Sequence, residues 1–122
     1  MAKSFTFSGT LSYPPDAGQP SADRDFSQSG SFNSKIEAEL DLTGAGTQVV
    51  DFGSATKPKA ILVEVRADSA APVNLRWSGG AEDMEVAPGG FVAISSPSPS
   101  TGITALSIVH TDAAKVDVYI LE

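Results

Sequence analysis

AILVEVRADSAAPVNLRW, residues 60–77, alternates apolar and polar residues on either side of one short break. Ile61, Val63 and Val65 recur at every second position, the chain breaks at DSAA (68–71), and Val73, Leu75 and Trp77 resume the same period. Apolar residues alternating with polar ones, with β-branched types common, predict half-buried antiparallel strands joined by tight turns. Toward the C-terminus the pattern repeats through MEVA (84–87), FVAIS (91–95), ITALSIVH (103–110) and KVDVYILE (115–122). The breaks between them are rich in Gly, Pro, Ser and Asp: SGGAED (78–83), PGG (88–90), PSPSTG (97–102) and TDAA (111–114). No helix is expected between residues 60 and 122, and the last strand, Lys115 to Leu121, should hold the C-terminal segment in a sheet.

Toward the N-terminus, Gly53 to Lys59 reads as a loop whose Pro58 removes a ladder hydrogen bond just before Ala60. TQVVDF (47–52) is a strand, and Gly44-Ala45-Gly46 is the turn before it. In SFNSKIEAELDLT (31–43), Phe32, Ile36, Ala38, Leu40 and Leu42 fall on one face and Lys35, Glu37, Glu39 and Asp41 on the other. KIEAEL has fair helix propensity, but the period of two favours a strand. Pro14 to Gly30 (PPDAGQPSADRDFSQSG) is the least foldable stretch, with Phe26 as its only large apolar residue. It lacks apolar surface to offset about 1–2 kcal/mol of backbone entropy per residue and is expected to be mobile or extended. Ser4 to Tyr13 alternates Phe5 and Phe7 with Ser and Thr, which suits an opening strand.

The expected fold is therefore all-β: an antiparallel jelly-roll-like sandwich or barrel of about eight to ten short strands with an extended N-terminal arm. An eight-stranded jelly roll is preferred over an immunoglobulin-like or simple barrel arrangement. Residues 1–30 form the extended strand or arm and 31–122 a single β-sandwich domain. No repeat of period 20–50 appears.

The 122 residues suffice for one core without a metal or disulfide. Cys is absent and His110 is the sole histidine, which removes thiolate sites, most metal clusters and most nucleophile–base pairs. A net charge of −7 disfavours nucleic acid or an anionic membrane as partner. No run approaches the roughly 18–20 apolar residues needed to span a bilayer. The opening MAKSFTFSG lacks the apolar core of a secretory signal, so folding in a cytoplasm is expected.

Each candidate site has a plain structural reading beside it. His110 ends a strand with Asp112 as its one nearby acid, which reads as a surface or turn histidine rather than a catalytic one. Glu82, Asp83 and Glu85 lack calcium-loop spacing and sugar-stacking aromatics, and read as a solvated acidic edge that discourages aggregation. The glycines at 44–46, 78–80 and 88–90 open no helix and read as turn residues supplying positive φ, not as a phosphate cradle. Trp77 continues the alternation of Val73 and Leu75 and is expected in the core or at an inter-sheet edge. SSPSPSTG (95–102) suits either a contact loop or a plain connector. No catalytic, cofactor-binding or metal site is expected, no cofactor is called for, and the chain is read as not an enzyme.

A Cys-free acidic chain with an extended N-terminal arm and a C-terminal half reading KAILVEV, APVNLRW, MEVAPGGFVAIS, GITALSIVHT and VDVYILE resembles virion structural proteins of tailed bacteriophages. The likeness covers roughly residues 36–122 and rests on pattern, with no diagnostic motif. It implies a jelly-roll or sandwich domain serving as a capsid cement or decoration protein, located in the virion after assembly in the host cytoplasm. Its partners would be the major capsid protein or other virion proteins, in a homo-oligomeric arrangement, with neither nucleic acid nor membrane. Alternatives are a tail, baseplate or fibre module, and a carbohydrate- or ligand-binding β-sandwich with Trp77 or Tyr119 in its pocket. A hydrolase is disfavoured, because the sequence has no His partner set, no Cys nucleophile and no Gly-x-Ser-x-Gly elbow. Aromatic anchors in an otherwise polar arm suit an interface, which points to Phe5, Phe7, Tyr13, Phe26 and Phe32. The competing reading places Phe5 and Phe7 in a first strand of the same core.

Overall fold

The computed structural model describes residues 3–18, 22–52, 58–77, 83–95, 103 and 105–122. Among these the chain forms ten strands: β1 Lys3–Tyr13, β2 Ala22–Phe32, β3 Lys35–Leu42, β4 Gly46–Val50, β5 Ala60–Val65, β6 Val73–Trp77, β7 Asp83–Val86, β8 Phe91–Ser95, β9 Leu106–His110 and β10 Ala114–Leu121. All pair antiparallel. The all-β expectation holds, and KIEAEL lies in a strand as its period of two requires.

Eight strands make the body. Sheet I has the order β3-β10-β5-β8 and sheet II the order β4-β9-β6-β7. Four of the pairs are nested in sequence: β6 with β7, β5 with β8, β4 with β9 and β3 with β10. Such nesting is what one long hairpin would give. Wrapping that hairpin adds the β5–β10 and β6–β9 pairs and splits the ladder into two facing sheets. This is the jelly-roll arrangement.

The core follows from period two applied in register. Val65, Val63 and Ile61 of β5 face Val116, Val118 and Ile120 of β10, and Leu75 of β6 faces Ile108 of β9. All eight are 0–2 % exposed. Each such burial contributes about 1.5–3 kcal/mol relative to exposure, before chain entropy is set against it. Trp77 packs half-buried against this cluster, as its alternation with Leu75 predicts. At the turns, Gly44 and Gly89 have the positive φ expected of them, 63° and 85°. Gly46, in contrast, opens β4 opposite His110.

His110 departs from the surface reading. It is 7 % exposed, and its Nδ1 donates to the Gly44 carbonyl at 2.6 Å, with the Asp112 carbonyl at 3.3 Å. Its position in β9 points it inward, and the carbonyl satisfies the ring nitrogen that burial removes from water. The ring thereby ties the β3–β4 turn to the end of β9.

The N-terminal segment is extended, as expected, and is in addition paired along its length. Residues 22–30, read as mobile or extended, belong to β2, which pairs with β1 along all eleven residues from Lys3↔Phe32 to Tyr13↔Ala22. Ser, Gly and Asp are poor strand formers on their own. The partner strand supplies the hydrogen bonds that such a composition does not signal. Phe32 consequently belongs to this hairpin and not to the β3 face shared by Ile36, Ala38, Leu40 and Leu42.

Candidate functional site

The hairpin is two-faced. Residues directly opposite in an antiparallel pair point the same way. One face therefore carries Phe5, Phe7, Gly9, Leu11 and Tyr13 of β1 with Phe32, Gly30, Gln28, Phe26 and Arg24 of β2. The other carries Ser4, Thr6, Ser8, Thr10 and Ser12 opposite Ser31, Ser29, Ser27, Asp25 and Asp23. On that polar face Thr6 and Ser29 share a hydrogen bond of 3.2 Å, and the Thr10 hydroxyl donates to Asp25 at 2.7 Å. All five aromatic residues predicted as anchors fall on the apolar face.

The apolar face lies over the outer side of sheet I, as a third layer. Phe5 and Phe7 share a cleft with Ala60, Leu62, Tyr119 and Leu121. Phe5 is 9 % exposed and stacks edge-on to Phe7 at 6.4 Å, with Phe32 at 6.3 Å. Ala60 is on the outer face of β5, yet it is 2 % exposed. At the base of the hairpin, Lys59 Nζ donates to the Ser31 carbonyl at 2.8 Å.

Toward its tip the hairpin has no such support. Leu11, Tyr13 and Phe26 are 61 %, 51 % and 51 % exposed, and Phe91, on the outer face of the edge strand β8, is 62 % exposed. The Phe26 ring lies across Gly9, where a Cβ would stand 2.5 Å from its tip. Between the hairpin and sheet I runs an open groove of about 360 Å³, lined by Phe7, Leu11, Phe26, Leu62 and Phe91 with Glu64. The structure thus joins Phe5, Phe7 and Phe32 into a covered cluster and leaves Phe26 and Tyr13 on an open strip. Leu11 and Phe91 belong to that strip and escaped the sequence reading. Leu11 was legible as a continuation of the Phe5–Phe7 alternation, two steps past Phe7. Phe91 was not, because its exposure depends on which side of β8 meets sheet II.

Beside the groove runs a row of like charges. Asp117 of β10 lies directly opposite Glu39 of β3 on one side and Glu64 of β5 on the other. Directly opposed carboxylates repel. Arg66 offsets part of this: its Nη2 donates to Asp117 at 2.7 Å, its Nε donates at 3.0 Å, and Glu39 lies at 3.4 Å. The hydrogen bonds to Asp117 hold the guanidinium well above its ordinary pKa. Tyr119 is also raised, first by desolvation and then by Asp117, Glu64, Glu39 and Glu37.

The other candidates bring little together. Among the described residues no three His, Asp or Glu side chains are placed to share a metal ion. Of the acidic trio, Glu85 is exposed opposite Asn74, and Glu82 lies outside the described residues. So do the glycines at 78–80 and residues 96–102 of the Ser/Pro loop.

No known protein family matches the chain, and no curated protein does either. A solved structure similar to it is that of a Salmonella typhimurium protein described as ethanolamine utilization protein Q, with 14 % identity, 96 % of each chain covered and a TM-score of 0.36. At that score the likeness carries no argument.

Proposed function

We propose that the protein is a non-enzymatic structural module that docks on a larger protein assembly through its N-terminal hairpin. Its role would be that of the phage cement or decoration proteins its sequence resembles, with a capsid or other virion surface as partner. The observation that carries this reading is the half-supported hairpin. One half of its apolar face is seated on sheet I, while Leu11, Tyr13 and Phe26 extend the same face into solvent beside Phe91. Large apolar side chains grouped in this way mark interaction surfaces. Many identical copies on a lattice would add weak contacts into firm attachment.

A second reading, a tail, baseplate or fibre module, is favoured by a different feature. The hairpin is a two-stranded sheet, so β1 and β2 each keep one unpaired edge eleven residues long. Such edges invite strand addition between copies. The mass of the purified protein in solution, with limited proteolysis alongside, separates the two. A monomer or dimer cut within the exposed segment 14–18 fits a hairpin that is covered on assembly. A protease-resistant trimer, hexamer or larger ring overturns the cement reading in favour of the tail or fibre one.

A further inference from the structure

We propose that the groove between the hairpin and sheet I takes a segment of a partner protein in which a large apolar side chain is flanked by lysine or arginine. This inference rests on the docking reading above and adds the chemistry of the partner.

The apolar requirement comes from the walls. Phe7, Leu11, Phe26, Leu62 and Phe91 line an open groove of about 360 Å³, large enough for one or two side chains and too open to stay dry unaided. The basic requirement comes from charge. Glu64 is the charged residue of the lining, and no cation pairs with it among the described residues. Arg66, the residue that follows β5, is committed to Asp117 and Glu39. The row Glu39–Asp117–Glu64 therefore keeps an uncompensated negative end, and that end is the one in the groove. On the hairpin, Asp23 and Asp25 lie on the face turned away from the groove, and Arg24, opposite Leu11, stands on the groove side but outside the lining, so the negative charge of the groove comes from sheet I. A row of opposed carboxylates costs stability in the free protein, which is expected where a surface serves a partner.

The same charges argue against other occupants. A second copy of a chain with net charge −7 would bring acidic groups to an acidic rim. An anionic lipid surface would be repelled by the same carboxylates. A partner with a basic rim gains attraction at the edge and apolar burial at the centre, the usual division of labour in an interface.

The test uses the full chain and two capped pentapeptides, one alternating leucine with lysine and one alternating leucine with glutamate. Binding is followed by amide shifts in β1, β2, β5 and β8. The lysine peptide is expected to give saturable shifts confined to residues 7–11, 24–28, 62–64 and 91–93. It should bind about tenfold more tightly than the glutamate peptide at low salt, the preference shrinking as salt rises. E64K should remove or reverse the preference, and F91S should weaken both peptides while leaving the fold intact. Equal binding of the two peptides, unchanged by E64K, would overturn the basic partner and leave the docking surface standing. No saturable binding of either peptide, together with no effect of F91S, would remove the docking reading as well. Self-association abolished by L11S or F91S would assign the groove to a second copy and overturn the proposal.

Discussion

The jelly-roll body and the N-terminal hairpin follow the same local rule and reach different ends. Both alternate apolar and polar residues at period two. In the body, β5, β10, β6 and β9 are each flanked on both edges and covered by an opposing sheet, so their inward aliphatic residues reach 0–2 % exposure. In the hairpin each strand has one neighbour, and the covering layer ends halfway along. Phe5 is buried, while Leu11, three turns of the pleat farther on, is 61 % exposed. Alternation defines a face, and only a layer opposite that face turns it into a core. A hairpin on its own is marginal in water, so what seats it determines how far it is ordered.

The largest effect is expected in the body. Leu75→Ala removes a fully buried side chain between two sheets and should destabilise the protein by about 2–5 kcal/mol, read from chemical denaturation. The loss should slow or prevent folding of all eight body strands together. If the midpoint moved by no more than it does for a surface change, the two-sheet core would be misdescribed.

Phe5→Ala should act on the hairpin alone. We expect a loss of about 1–3 kcal/mol, below that of a two-sided core site, because Phe5 is covered from one side. Amide exchange should quicken across β1 and β2 while β5, β9 and β10 stay protected. Uniform quickening across the body would mean that the hairpin is part of the same cooperative unit.

Arg66→Ala should leave Asp117 between Glu39 and Glu64 with no cation at hand, lowering the melting temperature by a few degrees. Adding Glu64→Gln should recover part of that loss, since it removes one member of the row. Lack of any recovery would show that the guanidinium acts through packing rather than charge.

The smallest effect is in the pH dependence. Tyr119 has a pKa raised above 10.0, so the folded state holds its proton more tightly than the unfolded state. Stability from this group is present below about pH 10 and falls as pH rises through the folded value. Asp68 has the opposite sign. The hydrogen bond from Lys115 lowers it below 3.8, so its contribution is present above that value and fades as pH falls through the lowered one. Both groups are exposed, and added salt should shrink the Asp68 contribution. Tyr119→Phe should flatten the alkaline limb, and an unchanged limb would assign it to other groups.

Much of the body was legible because its signals are local. Ile61, Val63 and Val65, or Val116, Val118 and Ile120, state their own period without reference to any partner. The hairpin was legible on one side only. Phe5 and Phe7 announce β1, but ADRDFSQSGSF gives β2 no such announcement, since its strand character comes from the β1 register. Of the candidate anchors, all five were found on one face, yet their division into a seated group and an open strip was not readable. His110 shows the same limit. Its place at a strand end was plain, and its burial follows from the arrival of the Gly44 carbonyl from a turn 66 positions away in sequence.

Short antiparallel strands, and the residues of each strand that share a side, are written in the local order of the side chains. Those properties depend on neighbours one and two positions away. The tertiary structure alone decided the nested jelly-roll pairing, the placing of the hairpin over sheet I, and the meeting of Leu11, Phe26, Glu64 and Phe91 at one groove. Those depend on register between distant segments and on where a covering layer stops, and no local pattern of side chains encodes either.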